Sequence, residues 1–337
     1  MVRLESKLLF KRAASIDLHL HLDGAITSDI ARKLAVLQHI DLPTENEEEL
    51  KELLTVSEEC RDLNEFLECF SLPLKLLQTT AGIREAVRLV SERLSKQGLV
   101  YAEIRFAPQL HTERGLTQED AVHAALEGLK ETDLHVNLIL CCMRGGEEHK
   151  NMETVNLAEK YLVTDGGVVA VDLAGAEGLF PTKDYERLFL KAREAKIPFT
   201  IHAGEAAGAE SVRDAIAFGA SRIGHGVRII ESEEVMNLVK EKGIYLEMCP
   251  TSNLQTHAVE SLSDYPLLTY MEEGIRVTVN TDDPGIEGTN LTREFSLLEE
   301  KGLTGTQEKK LLENAIEAAF TSEEVKKELR KELLATD

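Results

Sequence analysis

The chain has 337 residues, 43% of them hydrophobic, with 60 acidic against 38 basic side chains and a formal charge of −22. It can bury a full core, as one large α/β domain or two smaller ones, while so negative a field repels phosphate backbones and anionic lipid, which excludes nucleic acid and membranes as natural partners and favours a neutral or cationic small molecule. The first 25 residues hold Leu8, Leu9 and Phe10 between charges but no signal-peptide stretch, no run is long enough to span a membrane, and five cysteines without CxxC spacing argue against disulfides, so a soluble cytoplasmic protein is expected.

The first element is a strand, Ile16–Leu22. Its alternation sends Ile16, Leu18, Leu20 and Leu22 toward packing and sets Asp17, His19, His21 and Asp23 on one polar face. The next strand-like run is Leu99–Phe106, and the interval of about 24–98 is too long for one crossover helix. It reads as an added helical cap in which Leu63, Phe66, Leu67 and Phe70 form one stripe, packing the cap or walling an apolar pocket. Six further strand-like runs follow: Val136–Cys142, Val168–Leu173, Ile197–Ala203, Arg222–His225, Gly243–Cys249 and Ile275–Thr281. Amphipathic stretches lie between them, including Gly82–Lys96, Gln118–Thr132, Val155–Val163, Asp184–Ala195, Ser211–Phe218 and Glu233–Lys242. Glu45–Glu49 and Glu323–Asp337 read as solvated helical surface, and Cys141 and Cys142 as core.

Strand followed by helix, repeated eight times, predicts a parallel (β/α)8 TIM-type barrel, a fold of about 250 residues, with most of the excess in the cap. The whole of 1–337 is then one domain. An open doubly wound sheet is the competing architecture, but it gathers ligand loops at one crevice. Here nearly every strand ends in a polar, glycine-rich sequence, as the rim of a barrel active site requires.

Those ends place His19, His21, His202 and Asp282 where they would converge. Three imidazoles and a carboxylate suit Zn²⁺ with a position left for water, although cobalt, nickel or iron fit the same donors. Water on such an ion falls to a pKa of about 7. Glu205, three residues past His202, can reach the same cavity and, partly desolvated, serve as an acid. His225, between Gly224 and Gly226, could ligate, orient the water or simply pack. Adjacent Asp282 and Asp283 diverge on an extended backbone, so one can ligate while the other meets substrate. The fourth strand does not end in a lysine able to bridge two metals, so one ion per subunit is expected. His135 falls at the opposite face of the barrel; His39, His111, His123, His149 and His257 read as surface or loop residues.

Taken in order, HLHLDG, DLAG, HAGE, GHG, the ECP-like EMCP and NTDDP resemble the adenosine deaminase family, a branch of the metal-dependent amidohydrolases, from about Ser15 to the C-terminus. The resemblance implies zinc held by His19, His21, His202 and Asp282, with His21 also bordering the substrate and Asp282 also acting in catalysis. It implies Glu205 as the donor to purine N1 and His225 as the electrostatic base for the attacking water. It further implies contacts from Asp283 to N7, from the Gly175 backbone to N3 and from Asp23 to the ribose 5′-hydroxyl. The cap stripe matches the family's apolar gate. The implied reaction is release of ammonia from adenosine or 2′-deoxyadenosine, giving the inosines of purine salvage. Adenine deaminases of this lineage tend to carry glutamate where this chain has Asp23, which favours a nucleoside over the free base. The alternatives are an adenine deaminase and a non-catalytic purine-binding protein on the same barrel. Where animal members have tryptophan after ECP, this chain has Thr251, Ser252 and Asn253.

Overall fold

The computed structural model describes residues 15–57 and 59–334, so the Leu8–Phe10 stretch and residues 335–337 lie outside the described residues. Eight strands run in chain order: β1 (Ser15–His21), β2 (Leu99–Phe106), β3 (His135–Met143), β4 (Val168–Ala174), β5 (Thr200–Ala203), β6 (Arg222–His225), β7 (Tyr245–Met248) and β8 (Arg276–Val279). They form two four-stranded parallel sheets, β1-β2-β3-β4 and β5-β6-β7-β8. Single bridges join the sheets at both edges, Val171 to Phe199 and Leu20 to Asp282. At the second junction the His21 N–H donates to the Asp282 carbonyl and the Asp282 N–H to the His19 carbonyl, each at 2.8 Å. The ring is therefore closed, a (β/α)8 TIM-type barrel, and the open-sheet alternative falls because neither edge is left unpaired. Strand β5 starts three residues later than its apolar run, since Pro198 has no N–H to give a ladder.

The alternation in β1 works as read. Leu20 and Leu22 enter the main core, while Ile16 and Leu18 pack on Ala315 and Ile316 of the helix Gly305–Ala318 and on Val325, Leu329 and Leu333 of the helix Glu323–Leu334. That corrects the expectation of a solvated surface over Glu323–Asp337: apolar residues at three- and four-residue spacing bury one face of this last helix.

Between β1 and β2 lie α1 (Ser28–Gln38), α2 (Glu47–Leu54), α3 (Leu63–Leu67), α4 (Ser71–Leu76) and α5 (Thr80–Lys96). The Asp62 side chain starts α3 by accepting the N–H groups of Asn64 and Glu65, and Thr79 starts α5 by accepting that of Gly82. Helix α5 packs on α1 and on the helix Gln118–Leu129, and α1 to α5 fill the interval between β1 and β2. Among the described residues no helix is long and apolar enough to cross a membrane.

Candidate active site

A cavity of about 200 Å3 opens at the C-terminal rim of the barrel. His21, Asp23, Gly175, His202, Glu205, His225, Asp282 and Asp283 line its floor and one side, and Leu63, Phe66, Leu67 and Phe70 of the β1–β2 interval line another. The apolar stripe thus has both duties. Phe66 is buried with Cys60 and Ile286, Leu63 and Phe70 pack partly buried against them, and all three side chains of the stripe also line the cavity.

His19 and His202 approach Nε2 to Nε2 at 3.0 Å, and His21 and His202 at 3.2 Å. Asp282 Oδ1 lies 3.0 Å from His19 Nε2 and 3.4 Å from His21 Nε2. The far side of each ring explains this crowding. His19 Nδ1 donates to Glu247 at 2.7 Å and His202 Nδ1 to Asp172 at 2.9 Å, which turns both Nε2 lone pairs inward. Lone pairs and a carboxylate facing one another without a donor repel in a dry site unless a cation sits among them. One donor atom each from His19, His202, His225 and Asp282 lies within 4.8 Å of the others, a buried group able to hold a metal ion, and His21, Asp282 and Asp283 form a second such set.

Behind the imidazoles runs a buried ladder of charge that bulk composition does not reveal. Arg105 donates to Asp172 at 2.9 Å, to Glu247 at 2.8 Å and to the Leu18 carbonyl at 2.7 Å. Arg222 continues it to Glu247 at 2.5 Å and Glu103 at 2.6 Å. Burial pushes the Glu247 carboxyl up, but Arg222 and Arg105 outweigh it and hold it well below the usual range. Asp172 is likewise opposed by burial and brought down by His202 and Arg105. Three carboxylates against two guanidiniums leave negative charge beneath the imidazoles, as a cation requires.

The remaining groups face the cavity from strained or crowded backbone. His225 and Asp282 sit at φ 63° and 60°, positions a non-glycine residue rarely adopts and that cluster at functional sites. His225 Nε2 lies 3.6 Å from Glu205 Oε2 and 3.7 Å from Asp282 Oδ2, and its Nδ1 meets the Asn253 side-chain amide at 3.0 Å. Burial raises the Glu205 carboxyl, which accepts from Thr256 at 3.1 Å, and raises Asp23 to about 6. Burial and the adjacent Asp282 push Asp283 well up. Asp283 lies so close to Gly24 that a Cβ there would sit 1.7 Å from its Oδ1. Gly224 is needed for the same reason, since its Cβ would meet His19 Cε1 at 2.9 Å and His202 Cα at 3.1 Å.

The structure therefore brings together at one rim every residue singled out from the sequence: His19, His21, Asp23, Gly175, His202, Glu205, His225, Asp282 and Asp283. Two expectations, for His111 and Cys141, need correction. His111 is fully buried against Phe106, at 5.7 Å between ring centres, because its turn follows a barrel strand rather than a surface loop. His257 is exposed in a turn, as expected, with its Nε2 bonded to the Cys60 carbonyl at 2.8 Å. Cys141 points into the cavity with its Sγ 3.7 Å from Asp172, while Cys142 is in the core. Sequence reading gave no role to Arg105, Asp172, Glu247 and Asn253; the available signal was a charge inside each apolar run of β2, β4 and β7.

A closed barrel whose C-terminal rim carries three imidazoles and a carboxylate defines a metal-binding amidohydrolase. The sequence model of the family described as "Adenosine deaminase" matches residues 15–336. An adenosine deaminase of Haemophilus ducreyi is 52% identical over 322 residues, covering 93% of this chain and 94% of the relative. Among solved structures, an adenine deaminase from Arthrobacter aurescens superposes with a TM-score of 0.86 at 30% identity, covering 95% of this chain and 98% of that one. The N6-methyl-AMP deaminase of Arabidopsis thaliana gives a TM-score of 0.83 at 25% identity, over 98% of each chain. The chain belongs to the adenosine deaminase family, hydrolases that act on a cyclic amidine.

Proposed function

We propose that the protein converts adenosine and 2′-deoxyadenosine to inosine and 2′-deoxyinosine, releasing ammonia, with one Zn²⁺ held by His19, His21, His202 and Asp282. The observation that carries this reading is the inward set of Nε2 atoms beside Asp282 with Glu205 across the same cavity. When bound, the ion brings the pKa of its water to about 7 and so supplies hydroxide at neutral pH.

The protein side chains account for the other steps. Glu205, which burial favours in its protonated form, gives its proton to purine N1 and makes C6 electrophilic. His225, beside Glu205 and Asp282, takes the proton the attacking water loses and passes it to the departing amino group. The second proton of that water returns to Glu205 as the C6 carbonyl forms, so adenosine plus water balances inosine plus ammonia. Purine N7 accepts only, so Asp283 must donate, and its burial beside Asp282 favours the carboxylic acid. Asp23 meets the ribose 5′-hydroxyl and the Gly175 backbone meets N3. The apolar stripe excludes water from the ring.

Among the described residues lining the cavity there is no lysine or arginine, which supports a neutral nucleoside over a nucleotide. In this reading the chain works as one cytoplasmic deaminase domain with residues 24–98 as a helical cap. The test follows the ultraviolet change on conversion of adenosine to inosine, with adenine and AMP alongside. Glu205→Gln is expected to keep the metal and lower turnover at least about a hundredfold. Unchanged turnover removes Glu205 from its role, and turnover of adenine alone replaces the nucleoside reading with the base.

A further inference from the structure

We infer that Glu177 is the positioning residue that holds the Glu205 carboxyl at its working distance from the ring, an inference that rests on the role proposed above for Glu205. Glu177 is 2% exposed and follows Gly175, at the end of β4 beside the strand that leads into the Glu205 loop, by two residues. Its carboxylate accepts four successive backbone N–H groups of that loop: Gly204 at 2.8 Å on Oε1, and Glu205, Ala206 and Ala207 at 3.0, 2.8 and 2.9 Å on Oε2. The Ser211 hydroxyl adds a fifth bond from the first turn of the helix Ala209–Phe218.

Four consecutive amides turned toward one point form a nest for an anion, and here the anion is supplied by the chain itself. Charge-assisted bonds of this kind are stronger than neutral ones, so the backbone of the loop is fixed where an exposed turn would fluctuate. With its backbone so held, Glu205 leaves the loop in one direction. The base of the anchor is rigid as well. Ser211 is bonded to Thr182 at 2.6 Å, and Arg144 ties Thr182 at 2.8 Å, the Phe180 carbonyl at 2.7 Å and the His202 carbonyl at 2.6 Å. Glu177 thereby fixes the span between two ring contacts, Gly175 on N3 and Glu205 on N1. Since about 1 Å of misplacement can cost a hundredfold in rate, that span controls turnover more than binding.

The experiment compares metal-loaded wild type, Glu177→Gln, Glu205→Gln and the double variant on adenosine. Glu177→Gln is expected to lower kcat roughly ten- to a hundredfold with KM within about threefold. In the Glu205→Gln background the same change should move kcat by less than about twofold, since the group it positions is already gone. Full kcat in Glu177→Gln, or an equal fold-loss in both backgrounds, overturns the inference; the second result would make Glu177 a prop for the helix alone. Should Glu177→Gln not fold, amide hydrogen exchange of residues 204–207 in the wild-type holoenzyme decides. Strong protection supports the anchor, and exchange at exposed-loop rates overturns it. A wild type that deaminates no purine would instead defeat the proposed function, and the exchange measurement would still judge the anchor.

Discussion

Replacing Arg105 with methionine tests the charge ladder under the imidazoles. Arg105 is fully buried and bonded to Asp172, Glu247 and the Leu18 carbonyl, so Arg105→Met keeps the length and deletes three charge-assisted contacts. Removing one partner of a buried ion pair costs about 3–5 kcal/mol, chiefly because the other charge is stranded. The loss is not twice that, because Glu247 keeps Arg222 at 2.5 Å and His19 at 2.7 Å, and Asp172 keeps the His202 Nδ1–H at 2.9 Å. At roughly 2–4 °C per kcal/mol, the fall in Tm is about 6–20 °C, toward the lower end for a chain this long. Metal affinity should drop about 10- to 100-fold, since Asp172 and Glu247 orient His202 and His19. Thermal unfolding of the holoprotein and competition against a chelator read the two effects separately. A variant with Tm within about 2 °C of the wild type and unchanged metal affinity would refute the reasoning, because the ladder would then contribute neither stability nor orientation.

Gly24→Ala places a methyl 1.7 Å from Asp283 Oδ1, so Asp283 must swing away and kcat/KM for adenosine is expected to fall about tenfold to a hundredfold, as steady-state kinetics would show. Asp23→Ala should weaken adenosine far more than adenine, and an equal effect in parallel assays would mean that the ribose contact is misplaced. His111, held near a pKa of about 4 by burial, takes up its proton later than the unfolded chain does at about 6.5. It is neutral in both states above that range, so stability is lost as pH falls from about 6.5 to 4, by about 2 kcal/mol between pH 7 and pH 5. His111→Phe should remove that part of the acid sensitivity, read as urea midpoints at the two pH values.

The parts of the molecule governed by local pattern were legible. The alternation of β1, the eight apolar runs and the polar strand ends located the barrel and its rim, because in a parallel barrel the strand ends must meet on one face. What escaped depends on neighbours across the ring. Arg105 meets Asp172 and Glu247 only when β2, β4 and β7 are bent around one axis, and no spacing along the chain encodes that meeting. Cys141 and Cys142 show the same limit. Adjacent residues of one apolar strand face opposite ways, one to the cavity and one to the core, and composition cannot tell which. His111 was misjudged because nothing in the residues around it shows that its ring packs against Phe106, out of water.

Among the described residues the two four-stranded sheets meet through one bridge at each junction, and one of those bridges is made by Asp282 itself. His19 and His21 stand on the first half of the ring, His202 and Asp282 on the second. In the reading proposed above, an ion held by all four is a rivet through the seam, and stripping it is expected to loosen the joint between two panels while each panel keeps its own hydrogen-bonded ladder.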